Sequence, residues 1–526
     1  MAQWNKNTQD YRSIGGQSHD TTLHEVFMQA DQYGNILNEG ATHRSAFGEP
    51  VAIPITPVIQ LDGLYGLNPN KFETYTGASG TATTTNTLMQ VSTDTGIGSY
   101  GVIRSRRAVR YRPGQGALCR FTAKFSTGTA GYTQRAGFFA QEQALQIGYD
   151  GTSFGILLEN GGKAHIHAFT ITTLDAGDVT VTLNTEAYTA VTVAGTTLGD
   201  RIASLAAGLE ANSDFTADWI VEYDNTKICF LSTSLGVKSG TYSMTSTATI
   251  STTNSAIQSG VATTATWTPQ ASFNIDTLDG TGPSGVTLDP QKLNVYQINF
   301  RWLGAGELRF AVENPINGDM IFFHHEHYSN RNTDVHIDNP SFKMGYVAAS
   351  LGGSGSIITV EGASMMGAIE GVISPTDLPD AISHTRTAGM TGGTNEWTVL
   401  ALRNNVIHKG KINTREMILK RLAIGGTAAG GAPLIMTIWY NPATAAALDW
   451  TAMGTESSAS YSSTETTVTT AGLIPLFTSV ISDNTSDNID LNDLRIVIPP
   501  NNEIVVTAKS TANINRANIG LTWIED

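Results

Sequence analysis

Short stretches of period-two alternation, each cut off by glycine, proline or asparagine, constrain this chain most. Tyr296, Ile298, Phe300 and Trp302 alternate with Gln297, Asn299 and Arg301, residues 304–306 turn the chain, and Leu308, Phe310 and Val312 resume the period. Successive side chains of a pleated strand face opposite sides, so this spacing predicts a hairpin with one face on a core. Val109 and Tyr111 alternate with Arg106, Ala108, Arg110 and Arg112 before a Pro113-Gly114 turn. Leu434, Met436 and Ile438 alternate with Ile435, Thr437 and Trp439, and Ile519, Leu521 and Trp523 make a last strand. Charged residues are only 15% of the chain, against about 25% in ordinary globular proteins. Thr, Ser, Asn, Gly and Ala fill the gap, which favours pleated surfaces and tight turns over helices. The expected fold is mainly β: β-sandwich or jelly-roll domains with a small α+β insertion domain.

A chain of 526 residues is too long for one ordinary core, and about two to four domains are expected. Residues 1–97 read as an extended arm and lead-in, because Pro50, Pro54, Pro57 and Pro69 each remove a backbone donor. A short helix is predicted at 21–29, where Leu23, Val26 and Phe27 share a face. A β-sandwich is expected over 98–167 plus 263–372, interrupted by an α+β module at 168–262. Within that module Val179, Val181 and Leu183 alternate, then Leu198, Ile202, Leu205 and Leu209 recur at helical spacing. Thr197 stands at the N-cap with Asp200 three residues on. A second hairpin is expected at 219–231, and 240–250 offers a further strand. Residues 373–395 carry several breakers and read as a linker, and 396–526 as a C-terminal sandwich with a short helical stretch near 414–424.

The net charge of −15 and the pI of about 5.2 oppose nucleic acid or anionic membrane as bulk partners. No apolar run approaches the roughly 20 residues of a membrane span, and the start lacks a signal-peptide pattern. Two distant cysteines, Cys119 and Cys229, imply no disulfide framework and fit synthesis in a reducing cytoplasm. No nucleophile elbow, P-loop or H-E-x-x-H motif occurs, so neither catalysis nor a cofactor is expected. The segment FFHHEHYSNRNTDVHID offers His325, His327 and His336 as candidate metal ligands, with surface or interface histidines as the default reading. His165 and His167 form a second pair of this kind. Arg104, Arg106, Arg110 and Arg112 fall on one face of an expected strand, with Arg107 on the other. Crowded like charges need counter-charges, expected from Asp and Glu of the same or an adjacent subunit, so the row is read as an interface. Trp439, Tyr440 and Trp450 are candidates for stacking a glycan.

The stretch RSRRAVRYRPGQGALCRFTAKFSTG, with QRAGFF and QIGYDGTSFGILLENGG, resembles a family of virion structural proteins with relatives in tailed bacteriophages and some large DNA viruses. NIDTLDGTGPSGVTLDPQKLNVYQINFRWLGAGELRFAVENPINGD and ASMMGAIEG resemble the second half of that family, so the resemblance flanks the proposed insertion. The insertion is similar to small modules of phage tail-sheath and fibre proteins. The resemblance implies a non-catalytic virion component, an outward-projecting tail or baseplate appendage or fibre-like protein. A capsid-surface decoration or spike is the alternative location. A host-glycan-binding module, or a hydrolase of host polysaccharide with a buried carboxylate pair in a groove, are alternatives of other classes. The expected partners are other virion proteins and further copies of the chain itself, most simply as a trimer.

Overall fold

The computed structural model describes residues 29–30, 36–37, 54–301, 303–371 and 378–526. Trp302, the helix expected at 21–29 apart from its last residue, and most of the expected arm lie outside them. Gln29–Ala30 pairs antiparallel with Ile36–Leu37.

The first sandwich has two antiparallel sheets. One runs in the order Thr264–Pro269, Ser153–Asn160, Ala144–Asp150, Tyr132–Phe139, Ser341–Ser350, Tyr100–Ser105, Phe72–Gly77. The other runs Met320–Glu326, Leu308–Glu313, Asn294–Arg301, Gly116–Phe125, Thr359–Gly362, Leu88–Ser92, Thr81–Thr85. Aromatic side chains from both inner faces interlock: Phe138 of one sheet meets Phe300 of the other edge-on, with ring centroids 5.6 Å apart. The hairpin read from the alternation is present, with Tyr296 opposite Val312, Ile298 opposite Phe310 and Phe300 opposite Leu308. The sandwich begins earlier than expected. Ile55–Asp62 is a strand despite Pro57 and sends Ile59 and Leu61 into this core. Pro57 is exposed on a strand that pairs with one neighbour, Ser364–Glu370, an edge position where proline is tolerated.

The inserted module leaves the first sandwich at the paired backbones of Lys163 and Val261. It contains a four-stranded and a three-stranded sheet, with α1 (Leu198–Glu210) and α2 (Ser213–Asp218). The predicted cap is formed: the Thr197 side chain accepts from the Asp200 N–H, and the Asp200 carboxylate accepts from the Thr197 N–H. Ile202, Leu205 and Leu209 are buried against Val181, Tyr188 and Phe230. The expected strand at 240–250 is two pieces, Ser243–Ser246 and Ile250–Gln258.

The C-terminal sandwich packs a five-stranded sheet on an eight-stranded one around Leu402, Leu419, Met436, Ile504 and Trp523. Two expectations fail here. Residues 414–424 are not helical: Met417–Ala428 is a twelve-residue strand with a register shift between Leu419 and Arg421. The extra residue stretches the spacing of buried side chains to Met417, Leu419, Leu422, Ile424, which imitates a helical period. Residues 373–395 are not wholly linker, since Asp380–Arg386 pairs along Ile514–Glu525. That strand lies at the sheet edge, held by its ladder, by Ile382 against the core and by the buried Arg386, which donates to the Thr398 carbonyl at 2.6 Å.

Candidate functional site

Three ion pairs, Arg107–Glu416, Arg110–Asp526 and Arg112–Asp526, join the first sandwich to the C-terminal one. The arginine row is not one strand face. Tyr100–Ser105 ends before Arg106, the chain bends, and only Val109–Arg110 pairs again, on Ser341 and Phe342. The bend breaks the parity on which the reading rested. Arg104 stays on its own sheet, with Nε donating to the Glu73 carboxylate at 2.7 Å and its guanidinium 4.7 Å from the centre of the Tyr75 ring. Lys343 donates to both oxygens of Glu73 at 2.8 Å. Burial raises the Glu73 pKa, but Lys343 and Arg104 outweigh it and hold the carboxyl below its usual range. Burial, with Arg104 beside it, brings Lys343 down to about 8.

The rest of the row reaches the C-terminal sandwich. Arg106 donates to the Asn502 side chain at 2.8 Å. Arg107 grips Glu416 through Nη2 at 2.8 Å and Nε at 3.1 Å, and the Ala108 N–H joins the same carboxylate at 3.3 Å. Arg112 donates to Asp526, with Arg110 4.0 Å from the other oxygen. Val109 and Tyr111 turn into the core, as alternation required. The counter-charges thus come from the same chain. Arg107 was excluded from the row by its parity, and no local signal marks it.

A second junction joins module and C-terminal sandwich. Arg403 stacks over Trp450 at 4.5 Å and Tyr223 at 5.2 Å and donates to the Tyr223 carbonyl at 2.8 Å. The Tyr223 hydroxyl donates to the Leu448 carbonyl at 2.9 Å. Glu222 accepts from the Ile407 N–H at 2.9 Å, and burial pushes its pKa up despite Arg403. Glu503 is pushed up to about 7 by burial, which Arg403 opposes and Glu210 reinforces. Ile166 and Leu231 of the module also share a small apolar core with Val406. On the opposite flank, Gln141 of the first sandwich donates to the carbonyls of Ser232 and Thr233 at 2.8 and 2.9 Å.

The glycan-platform candidates do not present free ring faces. Trp439 is 7% and Trp450 2% exposed; Trp439 donates to the Thr507 hydroxyl at 3.0 Å, and the half-buried Tyr440 donates to Asn502 at 2.8 Å. Alternation placed Trp439 on the face opposite Ile438, but a second apolar cluster with Ala401, Val468 and Val505 covers that face too. Among the histidines, His336 is buried and set apart, its Nδ1 3.0 Å from the Gly304 carbonyl. His325 and His327 converge on Glu307, at 3.0 and 3.6 Å from Nδ1 to Oε1. Glu307 follows the Gly304–Gly306 turn by one residue, and no sequence signal singled it out. His165 and His167 are buried with ring centroids 5.9 Å apart, and Tyr242 stacks on His167 at 3.9 Å.

The described fold is that of a multi-domain β-sandwich protein carrying an α+β insertion. No family model matches the chain, and no curated protein matches it. Among solved structures it is similar to arcelin-5, a lectin-like defense protein from Phaseolus vulgaris. The identity is 8% and the TM-score 0.23, over 59% of this chain and 99% of that one. It is also similar to peanut lectin with a nine-residue peptide, at 11% identity and a TM-score of 0.23 over 60% and 99%. Likenesses at this level carry no argument about ligand or activity.

Proposed function

We propose that this chain is a non-catalytic structural component of a virus particle, an outward-projecting tail or baseplate appendage that assembles with its own copies, most simply as a trimer. The observation that carries the reading is how charge is used. Arg106, Arg107 and Arg112 clasp Asn502, Glu416 and Asp526, and Arg403 clamps Tyr223 and Trp450. These groups fasten one domain to the next. Charge-assisted and bidentate bonds of this type fix relative orientation as well as adding energy, which suits a part that transmits load. The resemblance of residues 98–160 and 265–372 to virion proteins points the same way. Burial of Trp439 and Trp450 weighs against a glycan platform built from those rings.

Mass spectrometry of purified particles, with a particle reconstruction, tests this reading. The expected result is the chain at stoichiometric copy number in density projecting from the tail. Density on the capsid shell would move it to a decoration, and absence from particles would overturn the proposal. Light scattering of the isolated chain tests self-assembly, and a monomer at micromolar concentration would remove that part.

A further inference from the structure

Two chain segments bring three ligand-type side chains together at the open end of one hairpin. Glu307 immediately precedes Leu308–Glu313, His325 lies within the paired strand Met320–Glu326, and His327 follows it. The register sets Arg309 opposite His325, so Glu307 and the two imidazoles fall on the same side. One donor atom from each lies within 4.8 Å of the others. Four ligands on a tetrahedral zinc ion, at bonds near 2.0–2.2 Å, stand about 3.3–3.5 Å from each other. The Glu307–His325 and Glu307–His327 separations of 3.0 and 3.6 Å bracket that edge.

We propose that Glu307, His325 and His327 hold a divalent transition-metal ion, zinc by ligand type, with one coordination position facing solvent. Two imidazoles and one carboxylate are a borderline donor set that suits zinc, whereas calcium and magnesium favour all-oxygen shells. The carboxylate is already oriented: Arg309 donates to its second oxygen at 2.6 and 2.8 Å, leaving Oε1 toward the histidines. Ligating carboxylates are commonly held this way by an outer hydrogen bond. His327 is exposed, which opens the fourth position outward. Bound metal would tie the end of Met320–Glu326 to the start of Leu308–Glu313, bracing the hairpin beyond its last ladder bond. This inference is independent of where the protein resides.

Equilibrium dialysis of the full chain against zinc chloride, after chelator treatment, tests it. The expected result is one tightly retained zinc per chain and a melting temperature raised by zinc. Glu307→Gln and His327→Ala should each weaken binding by about tenfold or more, since even outer partners of metal sites act on that scale, while His384→Ala should leave it unchanged. Cobalt should give the visible absorption of a tetrahedral site, absent in both variants. His327 is at the surface, so its variant is expected to fold and to report on binding alone. Absence of zinc binding, or binding that both variants retain in full, would overturn the assignment.

Discussion

Without the Arg107 guanidinium, the Glu416 carboxylate, whose side chain is 9% exposed, would keep only backbone N–H company at that junction. Arg107→Ala is therefore expected to destabilise the chain by about 1–3 kcal/mol, the cost of a buried acceptor losing its partner. Urea unfolding followed by tryptophan fluorescence measures it, and an unchanged midpoint would relegate the pair to decoration. Arg110→Glu would set a carboxylate near Asp526, so its effect should appear as lost stability within one chain and not as a looser oligomer. His165 supplies a pH prediction. Both of its ring nitrogens are buried without a hydrogen-bond partner, and burial, then nearby Lys238, lowers its pKa. A histidine whose folded pKa is depressed takes its proton more readily when unfolded. Its stabilising contribution is complete above the unfolded pKa of about 6.5 and is lost as pH falls below that value. Burial lowers His167 in the same sense. Glu503, raised by burial to about 7, acts oppositely, its contribution being lost as pH rises through that value. The comparison must therefore be made against His165→Phe, which should lose less melting temperature than the parent between pH 7.5 and 5.5. Equal losses would remove His165 from the balance.

At the scale of elements, α1 and the strand Met417–Ala428 behave oppositely. The helix was legible because its signals are local: the Thr197 cap, Asp200 three residues on, and a buried face of Ile202, Leu205 and Leu209. Thr197→Ala should cost the module about 1 kcal/mol, read as a lower melting temperature of the module's own transition in calorimetry. The strand was read as helix because its bulge spaces apolar residues by three at one point. Deleting Lys420 would remove the extra residue and leave Met417, Leu419, Leu422 and Ile424 in plain alternation on one face, with Leu419 still opposite Trp523 and Arg421 opposite Thr522. The C-terminal sandwich is then expected to keep a cooperative calorimetric transition. Loss of that transition would mean that the bulge itself is required for this sandwich to fold. Asp380–Arg386 escaped notice for another reason. Its inward positions are Asp380, Ile382, His384 and Arg386, and a single apolar residue among them is too little alternation to announce a strand.

At the scale of the molecule, the module is tied to both neighbours, by Gln141 on one side and by Tyr223, Glu222 and Ile220 on the other. Replacing 164–260 by a Gly-Ser bridge leaves the chain ends where Lys163 and Val261 already pair at 2.9 Å, so the first sandwich should still unfold cooperatively. The C-terminal sandwich should melt earlier and bind more hydrophobic dye, because Trp450, Val406 and Ile412 lose their cover. A deletion with both transitions intact would show that the junction contributes little, and loss of the first transition would make the module part of that core.

The sequence by itself determined the β class, the main hairpins and α1 with its cap, because period, turn residues and caps act between residues a few positions apart. The tertiary structure decided which charges meet. Arg107 and Glu416 are 309 positions apart, and Arg112 and Asp526 are 414, so no local pattern could pair them. It also decided which aromatic rings stay uncovered, and here Trp439 and Trp450 were claimed by a core that their local sequence does not reveal. Parity holds only while a strand is unbroken, and the bend after Ser105 and the bulge at Lys420 each reset it. Glu307 joined His325 for the same reason that it was missed: antiparallel pairing brings the two together across the hairpin, and only the fold supplies that proximity.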